Sequence, residues 1–212
     1  MKKVLTLLAV FVLSLAAIVP AYAIEGTSTV STKDLLAMSQ KKSYRLGVRL
    51  SMISPNRDVL ATKTTAYDLG LEFDARLNQN LDTGPRFGLS SFNNDQGTTL
   101  NATYSILRFG YGARMYVLSW GDSSAHGIAN LYLDAEANYY TANKSSEVKL
   151  NSPSSFAGFG AQIGTGIEFG LGPDTGAFAQ INYLRTSIKD SSGNSLPLDG
   201  FILAAGARMA FF

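Results

Sequence analysis

Thirteen charged side chains recur along this chain, at even-numbered spacings within each local stretch: Arg45, Arg49, Asp68, Glu72, Asp74, Arg76, Arg86, Arg108, Arg114, Asp134, Glu136, Glu168 and Arg208. Guanidinium and carboxylate make the strongest hydrogen-bonded ion pairs available to side chains, and arginine's planar fork suits a confined site. Their chemistry is mutual neutralisation, so the set reads as an internal ion-pair network. Acid–base or nucleophilic chemistry has one candidate, the stretch Asp122-Ser123-Ser124-Ala125-His126, which holds the only histidine. A serine nucleophile needs a base oriented by an acid at hydrogen-bond range, and this spacing imposes no such geometry. We therefore expect no catalytic residue. The chain has no cysteine, no second histidine and no calcium-loop spacing, so no metal or cofactor is expected. The glycines of Gly158–Gly166 lie within an alternating stretch and do not open a helix, which argues against a nucleotide loop.

What positions these charges is a two-residue rhythm. In one segment Tyr44, Leu46, Val48, Leu50 and Met52 alternate with Arg45, Gly47, Arg49 and Ser51. In the next, Tyr67, Leu69, Leu71, Phe73, Ala75 and Leu77 alternate with Asp68, Gly70, Glu72, Asp74 and Arg76. Successive side chains on a strand point to opposite faces, so each segment has an apolar face and a polar one. No helical period fits that pattern.

Eight strands are expected, near 44–54, 64–78, 84–92, 103–118, 128–142, 156–171, 177–188 and 200–212. The fourth changes parity, because Tyr104 and Ile106 fall out of phase with Phe109, Tyr111, Ala113, Met115 and Val117. A bulge near Ile106 and Leu107 would restore one face. The seventh has a similar slip near Tyr183 and Leu184. Pro85 lacks a ladder donor and suits the first residues of the third strand. Longer connections at 55–63, 93–102, 143–155 and 189–199 alternate with turns at 78–83, 119–127 and 172–176.

The N-terminus reads as a secretory signal peptide over residues 1–23. Lys2 and Lys3 precede an apolar run to Val19, and Ala21-Tyr22-Ala23 supplies a cleavage triplet. The formal charge of +2 loses those two lysines on cleavage, which leaves the remaining chain near neutrality and gives no basic footprint for nucleic acid. Residues 24–43 lack the two-residue rhythm and read as a short periplasmic arm, with residues 44–212 as one barrel domain.

Alternation alone does not separate a soluble barrel from a membrane barrel, since both have one greasy face. The polar face decides between them. It carries arginine and glycine, and every lysine falls outside the expected strands, as suits a packed lumen and not a wetted surface. In the last strand Phe201, Leu203, Ala205, Ala207, Met209 and Phe211 oppose Ile202, Ala204, Gly206, Arg208 and Ala210, and Phe212 follows. Over residues 44–212 the chain resembles the small outer-membrane β-barrels of Gram-negative bacteria, the group that includes the OmpA-type and OmpX-type barrels. The resemblance implies an all-β fold, an eight-stranded antiparallel transmembrane barrel. It implies outer-membrane lipid as surroundings, and periplasmic chaperones and the barrel assembly machinery as partners during biogenesis. It also implies a terminal aromatic read by that machinery, with Phe211 and Phe212 as candidates. Outward aromatics, including Tyr44, Tyr67, Tyr139, Phe159 and Phe211, would form interfacial girdles. Eight strands enclose just enough room for side chains. The expectation is thus a monomeric structural or general outer-membrane component with a charge-filled lumen, ahead of a narrow channel for small solutes or hydrophobic compounds, and of a lipid-modifying enzyme at the rim.

Overall fold

The computed structural model describes residues 44–55, 65–78, 80–94, 102–120, 129–146, 155–172, 174–196 and 198–211. Residues 1–43, with the expected signal peptide and arm, lie outside the described residues, as do His126 and Phe212. Eight strands run in order: β1 (Tyr44–Pro55), β2 (Ala66–Asn78), β3 (Leu81–Asn94), β4 (Ala102–Trp120), β5 (Ala129–Ser146), β6 (Ser155–Gly170), β7 (Thr175–Asp190) and β8 (Gly200–Phe211). Each pairs antiparallel with the next, and β8 returns to β1 with Tyr44 opposite Phe211, closing the barrel. Closure leaves no unpaired edge, which lets a sheet stand in hydrocarbon.

The alternation sorts as the residue types demand. Leu69, Leu71, Leu89, Ile163 and Leu203 face outward and are about half exposed or more, whereas Arg49, Glu72, Arg86 and Arg114 face inward and are almost wholly buried. An apolar exterior around a charged interior is the reverse of a water-soluble barrel, and its continuity far exceeds the apolar patches that monomers leave in water. Among the described residues no helix is long and apolar enough to cross a membrane. Tyr44, Phe73 and Phe211 stack at the end where β1 begins, with centroids 5.9–6.2 Å apart. Tyr139–Phe159 and Tyr183–Phe201 pair edge-on towards the other end, at 5.1 and 5.4 Å. These are the two aromatic belts. At the second end β1 is followed by β2, β3 by β4, β5 by β6 and β7 by β8, and in barrels of this architecture that end is extracellular.

Four local readings of the sequence are corrected. No bulge occurs at Ile106 and Leu107: β4 keeps one parity against β3 throughout, and Tyr104 and Ile106 point inward beside Arg108. Nor does β7 slip at Tyr183 and Leu184, for its ladder to β6 is continuous and Leu184 and Ile188 are buried inside. The cause is an inversion of polarity at the extracellular end. There Tyr104, Ile106, Tyr140, Ala142, Phe156, Leu184 and Ile188 turn in, while Ser105, Asn143, Ser155, Arg185, Ser187 and Lys189 turn out. The barrel stands proud of the apolar band there, and its wall is that of a soluble barrel. The register shift that β4 does have, against β5, lies between Tyr116 and Leu118 at the opposite end.

The third reading concerns β3, which begins at Leu81 rather than at 84 and runs through Pro85. The β2–β3 ladder is continuous from Tyr67–Ser91 to Glu72–Arg86 and resumes at Ala75–Thr83, stepping over the proline that has no N–H to give. Gly84 adjoins it, and a Cβ there would strike the Phe73 carbonyl, so the two backbones can approach only because the residue is glycine. Finally, β5 and β7 extend past their expected ends and include Lys144 and Lys189, so lysine is not wholly excluded from the strands.

Candidate functional site: the barrel interior

Strand pairing brings every arginine and carboxylate expected in the lumen into one connected network. Nearest the periplasmic end, Arg45 Nη1 lies 3.2 Å from Asp82 and 3.4 Å from Glu168, and Arg76 Nε donates to Asp82 at 3.0 Å. The Tyr116 hydroxyl sits among them. It accepts from Arg45 at 2.7 Å and Arg208 at 2.9 Å and donates to Glu168 at 2.9 Å. One step further in, Glu72 receives Arg49 at 3.2 Å, Arg114 at 3.3 Å and Arg208 at 3.0 Å. Asp74 is shared by Arg86 and Arg208, the latter at 2.7 Å. Glu136 takes Arg49 at 2.6 Å and Arg108 at 2.7 Å, Asp68 takes Arg108 at 2.9 Å, and Asp134 takes Arg114 at 3.2 Å.

Asp82 was missed by the sequence reading because it falls in the stretch assigned to a turn. With it the network holds seven arginines and seven carboxylates, and no charge in it is left without a counter-charge. Aromatic faces complete the packing: the Arg114 guanidinium lies 4.2 Å from the Tyr132 ring centroid and 5.0 Å from that of Phe178. Lumen glycines make the room. A Cβ on Gly88 would fall 2.7 Å from both Arg108 and Asp68, so a side chain there would split that pair.

Above the charges comes a layer of amides and hydroxyls, then the apolar layer. Ser51, Gln162 and Asn182 are buried, and their side-chain polar atoms meet no protein partner. Ser90 donates to Asp68 at 2.7 Å. A small cavity lies between Arg49, Ser51, Ser90, Gln162 and the underside of Ile53, Ile106, Leu198 and Ile202, with about 10 Å³ open to the centre of a water molecule. That is room for about one water. The lid over it is partly loop. After Asp190 the chain turns through Gly193 at φ 84°, a left-handed conformation suited to glycine, and Leu196 bonds back to the Ile188 carbonyl at 2.9 Å. Leu196 and Leu198 are thereby seated in the mouth and are almost fully buried.

In chemical terms the interior can neutralise and seal. Among the described residues no cluster of three or more metal-ligating side chains occurs. The expected assembly-signal residue Phe211 is outward and stacked on Tyr44, whereas its neighbour Phe212 lies outside the described residues.

No family model matches the chain, and no curated protein matches it in sequence. Its fold is similar to that of Neisserial surface protein A, at 15% identity and a TM-score of 0.55, over 79% of this chain and 96% of that one. Ail, the attachment invasion locus protein of Yersinia pestis, aligns over 80% of this chain and 97% of its own at 14% identity and a TM-score of 0.47. The N-terminal β-barrel domain of Pseudomonas aeruginosa OprF aligns over 81% and 99% at 12% identity and a TM-score of 0.41. The fold is that of the eight-stranded outer-membrane barrels.

Proposed function

We propose that the protein is an integral component of the Gram-negative outer membrane with a structural or general role, whose lumen is closed by its ion pairs and does not conduct. The observation that carries this reading is the balanced network, in which Arg49, Glu72, Arg86, Arg114 and Glu136 are each almost wholly buried and each held by a partner of opposite charge. An eight-stranded barrel is only wide enough for its own side chains, and here two different fillings block it in series. Charges occupy the periplasmic part, and apolar residues with the tucked loop occupy the extracellular mouth. A hydrated ion crossing the barrel would have to break the first and dewet the second. The test is single-channel conductance of the refolded protein in planar bilayers, with heat-modifiable gel migration verifying the folded barrel. Silence of a folded barrel is the expected result. Reproducible openings that change when Arg49 or Glu72 is replaced would overturn the closed reading in favour of a narrow solute channel.

A further inference from the structure

The extracellular rim of the barrel is uneven. β7 runs on to Asp190, whereas the β7–β8 ladder stops at Leu184–Gly200, and Gly200 lies opposite Pro55, the last residue of β1. Beyond Leu184 the place of a neighbouring strand is taken by the chain that returns from the turn after Asp190. Ser195 bridges to Lys189, Leu196 N donates to the Ile188 carbonyl at 2.9 Å, and Leu198 N donates to Thr186 Oγ1 at 3.3 Å. Asp199 closes the set, its carboxylate accepting from Thr186 N at 2.5 Å and from Thr186 Oγ1 at 3.0 Å. The turn itself is self-contained: the Asp190 carboxylate accepts from Ser192 N at 2.9 Å and from Asn194 N and Nδ2 at 2.8 Å each. Among the described residues, the hydrogen bonds that tie this strap down therefore end on β7. Its grip on the rest of the mouth is made by the buried side chains of Leu196 and Leu198.

What lies beneath the strap sets its energetics. Leu198 shares the small cavity with Ile53, Ile106 and Ile202, and the polar side of that cavity includes Arg49, Ser51 and Gln162. Ser51 Oγ, both amide atoms of Gln162 and Arg49 Nε are buried and meet no protein partner. Sealing such groups from water carries a desolvation cost, whereas seating two leucines is favourable, so the two effects oppose each other here. Raising the strap exposes the leucines, but it returns water to the polar groups and breaks only the isolated Lys189–Ser195 bridge. Parting the wall between paired strands would instead tear a continuous ladder. Segments with few ties to the rest of the fold are the ones that open locally. We propose that Ser195, Leu196, Leu198 and Asp199 form a lid that swings off the extracellular mouth as a unit, latched by Thr186 to Asp199, while the barrel beneath stays folded. Closed is the resting position. Raised, the lid turns the cavity into a water-filled cup floored by hydroxyl, amide and guanidinium groups. It stands apart from the closed-lumen reading, because the ion pairs below block the barrel in either position.

The chain has no cysteine, so a thiol placed under the lid is the only one to react. Ser51→Cys is nearly isosteric and lines the cavity, while Ser187→Cys on the exposed outer wall gives the unhindered rate. Each refolded barrel, in detergent micelles, is treated with a charged, water-soluble methanethiosulfonate, and labelling is followed by mass spectrometry at increasing urea. Ser51→Cys is expected to react about thirtyfold or more slowly than Ser187→Cys, in line with the smallest usual cost of unseating a buried leucine. Its rate should barely change with urea, since a local opening exposes little surface. Thr186→Val removes the latch hydroxyl and is expected to raise the Ser51→Cys rate about tenfold, the effect of one hydrogen bond to a charged group, whereas Thr186→Ser keeps the slow rate. Labelling of Ser51→Cys as fast as that of Ser187→Cys would overturn the closed resting position. Labelling that climbs with urea as steeply as global unfolding, or a rate unmoved by Thr186→Val, would overturn the lid itself. Heat-modifiable migration reports folding, and Ile202→Cys, on the same cavity, is the second probe should Ser51→Cys not fold.

Discussion

Replacing Glu72 by Gln removes one negative charge from the centre of the network while keeping the side chain's volume. Three guanidinium groups converge on this carboxylate, Arg208 at 3.0 Å, Arg49 at 3.2 Å and Arg114 at 3.3 Å. An amide offers one acceptor oxygen and points two N–H donors at what were acceptor contacts, so at least one arginine loses its bond and faces a donor. A hydrogen bond to a charged group contributes about 1.5–3 kcal/mol net, and stranding one member of a buried ion pair costs about 3–5 kcal/mol. The two routes overlap at about 3–5 kcal/mol, which is the expected loss of stability. Equilibrium urea unfolding in lipid vesicles, followed by circular dichroism and gel migration, measures it. A control is Arg185→Gln on the outer wall, where no ion pair is lost and a change within about 0.5 kcal/mol is expected. A second arm pairs Glu72→Gln with Arg208→Met, whose other carboxylate partners Asp74, Asp82 and Glu168 keep Arg86 and Arg45. Restoring neutrality should recover part of the loss, making the two changes non-additive. A loss below about 1 kcal/mol for Glu72→Gln, the size found for exposed pairs, would refute the idea that this network holds the barrel together.

The apolar mouth and the strained approach at β3 give two further expectations. Leu198, buried against Ile53, Ile106 and Ile202 beside the small cavity, should cost about 2–5 kcal/mol when cut to Ala, read by the same unfolding assay; a change near zero would mean that the loop does not seat in the mouth. Gly84→Ala should force β2 and β3 apart at the Phe73 carbonyl and lower refolding yield, whereas Gly172→Ala, whose added Cβ would meet only the Thr175 hydroxyl at 3.1 Å, should be mild; equal yields would refute the close approach.

Much of this architecture was written in side-chain alternation. Where the strand crosses the apolar band, as in β1, β2, β5, β6 and β8, one face is uniformly apolar, and its partner face names the lumen residues, including ten of the thirteen charges first singled out; Arg86 lies on β3 and Arg108 and Arg114 on β4. Legibility ended where that physical situation ended. Tyr104 and Ile106 looked like a register error because an inward apolar residue mimics a slip when the lumen is taken to be polar throughout. In truth the wall passes from lipid to water, and the preferred polarity of each face reverses with the solvent. Asp82 escaped because Pro85 and the Asn78–Asp82 stretch look like a turn, and only the ladder shows that β3 starts before the proline. That Glu72 and Arg208 meet over Gly47 of β1, and Arg49 and Glu136 across the lumen, follows from barrel closure and register, which no local pattern encodes.

The pairing of the last strand with the second, over β1, bears on how the barrel is made. Arg208, on the last strand, meets Glu72 and Asp74 from 136 and 134 residues earlier in the chain. Before β8 arrives, those carboxylates keep Arg49, Arg114 and Arg86 but lack one of their cations, so a partly built sheet lying in hydrocarbon would hold a network one positive charge short. Insertion one hairpin at a time is therefore disfavoured for this sequence. The strands must gather outside the hydrocarbon, or behind a shielding partner, and enter as the ends meet. Such an order of events places the longest-range contacts in the rate-limiting step and makes folding slow. It also turns charge balance into a check on completion: a chain truncated before Arg208 would not yield a smaller barrel but a polypeptide with no stable place in the bilayer.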